Sequence, residues 1–116
     1  MSTRAHIRIK NESGEISLYC HCDGYPSGLG KVLKRFLDGF QPHFWEADWI
    51  AWKLIKGDIE DDFFFNHDIF PTFGLHGDED FVYVIDTIQK MLICYRHYPD
   101  ETFNKCCNIE NRRQIK

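Results

Sequence analysis

Along the first quarter of the chain, apolar and polar residues alternate one for one. Ala5, Ile7 and Ile9 fall between Arg4, His6, Arg8 and Lys10; Ile16, Leu18, Cys20 and Cys22 fall between Glu15, Ser17, Tyr19 and His21. A period of two marks a half-buried strand, and Asn11-Glu12-Ser13-Gly14 between the runs reads as a hairpin loop. At Asp23-Gly24 the period changes. Asp bonds nearby backbone, Gly tolerates positive φ, and Pro26 suits a helix start. Leu29, Val32, Leu33, Phe36, Leu37 and Phe40 then recur at helical spacing. This predicts a one-sided helix capped by Ser27 or nearby backbone and stopped by Gly39.

Gln41-Pro42 breaks the chain, and Phe44 to Lys56 reads as a second helix, with Trp45, Trp49 and Trp52 at i, i+4 and i+7. Ile50, Ala51, Leu54 and Ile55 widen its apolar surface, so it is expected to pack on two sides with the tryptophans in the core. The sharper alternative leaves one Trp exposed as an interface anchor. From Gly57 to Asp80, roughly 24 residues, no period is visible, and loops of that length are often functional. Its phenylalanines argue against disorder, so Phe63, Phe65, Phe70 or Phe73 is expected to pin the loop while its carboxylates face outward. Phe81 to Ile85 and Lys90 to His97 form a second predicted hairpin, followed by Pro99 and a polar tail from Asp100.

The expectation is a single α+β domain over residues 1–116: a hairpin at 1–22, two helices at 27–56, an acidic aromatic loop at 57–80, a hairpin at 81–98 and a tail at 99–116. The two hairpins would join in a four-stranded antiparallel sheet with both helices on one face, in the order ββααββ.

Composition adds charge placement to this outline. The net charge is −4, but residues 46–86 carry two Lys/Arg against eleven Asp/Glu. That excess disfavours a phosphate-binding face there and suits a basic partner surface. With no long apolar run and no N-terminal h-region, neither a signal peptide nor a membrane span is expected, and the predicted location is the cytoplasm. The five cysteines, an odd and scattered set, fit reduced thiols.

The strand opening Ser2-Thr3-Arg4-Ala5, the short hairpin, and Tyr19-Cys20-His21-Cys22-Asp23-Gly24-Tyr25-Pro26 with Gly28 and Gly30 behind it resemble a group of small proteins from phages, prophages and other mobile elements. The resemblance covers roughly the first 40 residues and the second hairpin. It implies a genomic context and no site residues.

Each candidate chemistry has a plainer competitor. Cys20, His21 and Cys22 have ligand side chains, but strand alternation sends His21 to the face opposite the cysteines, so no metal site is expected. No cofactor is expected either. Tyr19, His21, Asp23 and Gly24 form a possible ligand site at the turn, in which a carboxylate beside an imidazole would raise its basicity, with His97 as a further partner. The competing role for Asp23 is to cap the turn, and Gly28-Leu29-Gly30 is a weak phosphate signal. His6, Arg8, Lys10, Tyr19 and His21 gather on the outward face, read as a solvated sheet surface. Asp58, Glu60, Asp61, Asp62, Asp78, Glu79 and Asp80 form the expected partner-binding set, against a solvated charged loop.

The functional expectation is a non-enzymatic mobile-element protein that blocks a host protein, most concretely an anti-CRISPR-like inhibitor whose acidic segment occupies the basic channel of a defence effector. It would contact neither nucleic acid nor membrane directly. The alternatives are a ligand-binding or enzymatic domain at the Tyr19–Pro26 turn and a self-associating structural or assembly protein.

Overall fold

The computed structural model describes residues 3–39, 45–57, 68–97 and 103–110, with the backbone alone for His97 and for 103–110. The strands are β1 (Arg4–Asn11), β2 (Gly14–Cys20), β3 (Ile69–Pro71), β4 (Glu79–Asp86), β5 (Met91–His97) and β6 (Phe103–Glu110), and the helices are α1 (Lys31–Asp38) and α2 (Ala47–Lys56). Both predicted hairpins form, as β1–β2 and β4–β5.

The predicted four-stranded antiparallel sheet does not form. The strands make one six-stranded mixed sheet in the order β3-β2-β1-β4-β5-β6, with β1 and β4 parallel at its centre. The physical reason is the crossover: between β2 and β4 the chain carries both helices across one face and returns in the direction of β1. β4 is thereby flanked on both sides, and Phe81, Val82, Tyr83 and Ile85 are all buried. β3 lies inside the stretch read as a loop, and its Pro71 is tolerated because the strand is at the edge. Within the expected tail, residues 103–110 form β6.

The core lies between the helices and one face of the sheet. Ala5, Ile7 and Ile9 of β1, Leu18 and Cys20 of β2, Phe81, Tyr83 and Ile85 of β4, and Leu92 and Cys94 of β5 meet Leu29, Leu33, Phe36, Leu37, Ile50 and Leu54. A single π-helical turn, Pro26–Gly30, leads into α1. Its N-cap is Tyr25 with no side-chain cap bond, so Ser27 does not serve, while Pro26 occupies the first position as expected. Gly39 ends α1. The tryptophans divide: Trp45 is buried, Trp49 packs partly against the core, and Trp52 is 52% exposed with the Lys56 ammonium 4.3 Å from its ring. The expectation of three core tryptophans therefore fails at the last one, which the helix turns away from the sheet.

The strand-to-helix turn is fixed from beneath. Tyr83 Oη donates to the Gly24 carbonyl at 2.7 Å in a buried bond, and Gly24 N–H donates to Thr3 O at 2.8 Å. Tyr83→Phe leaves that carbonyl buried without its donor. The expected loss is about 1 to 3 kcal/mol, read as a lower urea midpoint at unchanged slope. No shift in midpoint would mean that the turn is held by other contacts.

No helix among the described residues is long and apolar enough to cross a membrane.

Candidate functional site

The face of the sheet away from the helices carries the row Phe70, Tyr19, His6, Val82 and Tyr95, one residue from each of β3, β2, β1, β4 and β5 in register. Simple alternation makes this face solvated. Instead His6 is wholly buried and Tyr19 is only 3% exposed. The segment joining β3 to β4 is what changes the environment. His76 stacks on the Tyr19 ring, with centroids 3.8 Å apart and planes 12° from parallel. Tyr19 Oη donates to the Asp78 carboxylate at 2.9 and 3.0 Å, and Arg4 Nε lies 3.9 Å from the same group. Burial and the Asp78 carboxylate push the Tyr19 phenol up to about 12.

Glu79 fastens the end of this loop. Its Oε2 accepts from His76 N–H at 2.7 Å, and its Oε1 accepts from Gly77 N–H at 2.9 Å. Its side chain is fully buried and lies beside that of His6, with His6 Nδ1 3.5 Å from Oε2. Gly77 takes a positive φ of 102° here, a backbone state that glycine adopts without a Cβ penalty. Farther out, Thr72 Oγ1 donates to Gly74 O at 3.0 Å and meets His76 Nε2 at 3.0 Å. The base of the loop is thus fixed by stacking, hydrogen bonds and charge, while Phe73 is fully exposed and Phe70 is 41% exposed. Phe73 does not pin the loop, whereas Phe70, despite that exposure, packs its ring on Tyr19 with centroids 5.2 Å apart. The loop's buried apolar anchor is Ile69; Phe63 and Phe65 lie outside the described residues.

The predicted acidic set separates. Asp58, Glu60, Asp61 and Asp62 lie outside the described residues. Asp78 is at the surface but engaged by Tyr19 and Arg4, Glu79 is buried, and Asp80 is exposed. Asp68, exposed just before β3, lies instead by the strand-to-helix turn, its carbonyl accepting from His21 N–H at 3.2 Å and its charge acting on Cys22.

The predicted turn site separates too. Tyr19 points into the covered face, and His21 is exposed with its ring 6.3 Å from that of Tyr19. Asp23 sits at φ 57° and serves the turn: its carbonyl accepts from Leu29 N–H at 2.9 Å, and its carboxylate accepts from Tyr25 Oη at 3.3 Å. Gly24 is a packing residue against β1. The His97 side chain lies outside the described residues. Cys20 and Cys22 are poor nucleophiles, because burial pushes the Cys20 thiol up to about 12, and burial with Asp68 and Asp23 raises Cys22. Among the described residues, no group of three or more His, Cys, Asp or Glu side chains is placed to hold a metal ion.

The buried His6 and Glu79 are what sequence reasoning missed. A loop crossing the polar side of a sheet leaves no mark on the alternation of the strands it covers. The chain matches no family model, no curated protein and no solved structure.

Proposed function

We propose that this protein is a non-enzymatic binding protein that docks on a larger protein through the loop between β3 and β4, inserting Phe73 into an apolar pocket bordered by basic side chains. The observation that carries this reading is Phe73 itself, fully exposed on a loop whose base is locked to the sheet by Tyr19, His76 and Glu79. An exposed aromatic on a preorganised loop loses little conformational freedom on binding, and aromatic anchors dominate interface energetics. Phe73 belongs to a segment, residues 46–86, of strongly negative net charge, and the exposed Asp80 at the start of β4 is one of its carboxylates; such a segment favours a basic partner and speeds the encounter.

The most concrete form is a mobile-element protein that blocks a host defence complex, with the acidic segment facing the basic channel in which that complex holds nucleic acid. The resemblance of the Tyr19–Pro26 segment to mobile-element proteins and the charge excess over residues 46–86 support this form.

The test is binding to a panel of purified nucleic-acid-guided nuclease complexes at low and raised salt. Phe73→Ala is expected to weaken binding at least about tenfold while the melting temperature stays unchanged, and Asp80→Lys is expected to slow association most at low salt. A complex that binds wild type and Phe73→Ala equally would overturn docking through this loop. Failure to bind any member of the panel would overturn the defence-blocking form.

A further inference from the structure

We propose that His6 and Glu79 form an acid-sensitive latch that holds the β3–β4 loop, and with it Phe73, in its presenting conformation. The functional consequence rests on the docking role of that loop; the latch itself does not. His6 is wholly buried in the middle of the sheet, and neither ring nitrogen has a hydrogen-bond partner among the described residues. A neutral imidazole survives such a site at modest cost, but an imidazolium needs an acceptor at each nitrogen. The acceptor within reach is Glu79 Oε2, 3.5 Å away, and it already receives the His76 N–H. One carboxylate therefore both fastens the loop and stands as the counter-charge His6 would need.

The groups around His6 come from every neighbouring element. Arg4 and Arg8 lie on the same face of β1, Tyr19 and Glu15 on β2, apolar Val82 and the Glu79 carboxylate on β4, and His76 and Asp78 on the loop. Burial, then the Arg8 charge, hold the imidazole below its ordinary 6.5, and Glu79 only partly offsets them. The sign follows. A depressed native value means that the latch contributes fully above the unperturbed imidazole pKa and loses strength as pH falls through the native one. Below about pH 6.5, protonation favours states in which solvent reaches the ring or Glu79 swings from the loop amides to the imidazolium. Either change frees the His76 and Gly77 N–H groups.

Amide hydrogen exchange by NMR, corrected for intrinsic rates and run from about pH 7.5 to about pH 5, reads the latch without any partner. Protection at His76 and Gly77 is expected to fall at least tenfold in acid, while Gly24 and Thr87, bonded to Thr3 and Lys10 elsewhere in the domain, keep theirs. In His6→Leu and His6→Asn the acid loss is expected to vanish. The same loss in both variants would move the effect to another group, such as His76, and overturn the latch. Loss at all four amides would show global acid unfolding, and no loss at any would show that the pair does not gate the loop; both also overturn it. If neither variant folds, loop release in the wild type must track the His6 ring titration, and a mismatch overturns the latch. Because the readout needs no partner, a failed docking test leaves it standing.

Discussion

Truncating Phe36 to alanine is expected to destabilise the domain by about 3 to 5 kcal/mol. α1 spans only Lys31–Asp38, well short of the length at which an isolated helix holds itself together in water. Its stability comes from the face that Leu33, Phe36 and Leu37 bury. Phe36 is 2% exposed and is among the largest fully enclosed side chains. Its removal loses transfer free energy and leaves a void that the surrounding strands cannot collapse to fill. Against a typical total of about 5 to 15 kcal/mol, such a loss brings the domain near its folding threshold. Chemical denaturation followed by circular dichroism measures it. A change below about 1 kcal/mol would mean that α1 does not pack on the sheet as described.

The second large effect is expected at Gly24, where alanine should cost about 3 kcal/mol. A Cβ there would lie 2.7 Å from Ala5 Cβ and 3.0 Å from Thr3 O. Neither neighbour is a flexible side-chain end: one is the Cβ of Ala5 in β1, the other the Thr3 backbone just before that strand. Relief therefore requires the turn to shift, which also disturbs the Gly24 N–H to Thr3 bond and the Tyr83 bond to the Gly24 carbonyl. Gly74→Ala is the control, since nothing lies within 4 Å of the added methyl, and it should change stability by no more than about 0.5 kcal/mol. Equal unfolding midpoints for the two variants would rule out close packing at the turn.

The parts of this fold that local period determines were legible in the sequence, and the parts that depend on distant chain were not. Alternation from Ala5 to Cys20 located β1 and β2, the spacing of Leu33, Phe36 and Leu37 located α1, and Gly39 marked its end. The parallel β1–β4 pairing escaped because direction is set by the crossover rather than by the strand; the local sign of a central strand was the unbroken apolar run Phe81 to Ile85, the pattern of a strand covered on both faces. β3 escaped because three residues ending in Pro71 carry no measurable period. At the site, Asp78 and Glu79 were visible as members of an acidic run, but a run of carboxylates does not show which are solvated. The structure turns Asp78 toward Tyr19, buries Glu79 and leaves Asp80 exposed. His6 has the parity of an outward residue, and the sequence gives no sign that a loop more than sixty residues away covers it.

The central pairing also governs the order in which the chain can fold. β1 meets β4 with Arg4 beside Glu79 and Lys10 beside Asp86, so its closing contacts join residues about 75 positions apart, and loop closure must come before those contacts can contribute. The β1–β2 hairpin can form as soon as it leaves the ribosome, but one edge of β1 stays unpaired until β4 has been synthesised. During that interval a bare, apolar strand edge is open to pairing with another chain. The newly made protein is therefore most exposed to aggregation between completion of the first hairpin and arrival of the fourth strand, which makes this interval the stage at which a chaperone would engage it.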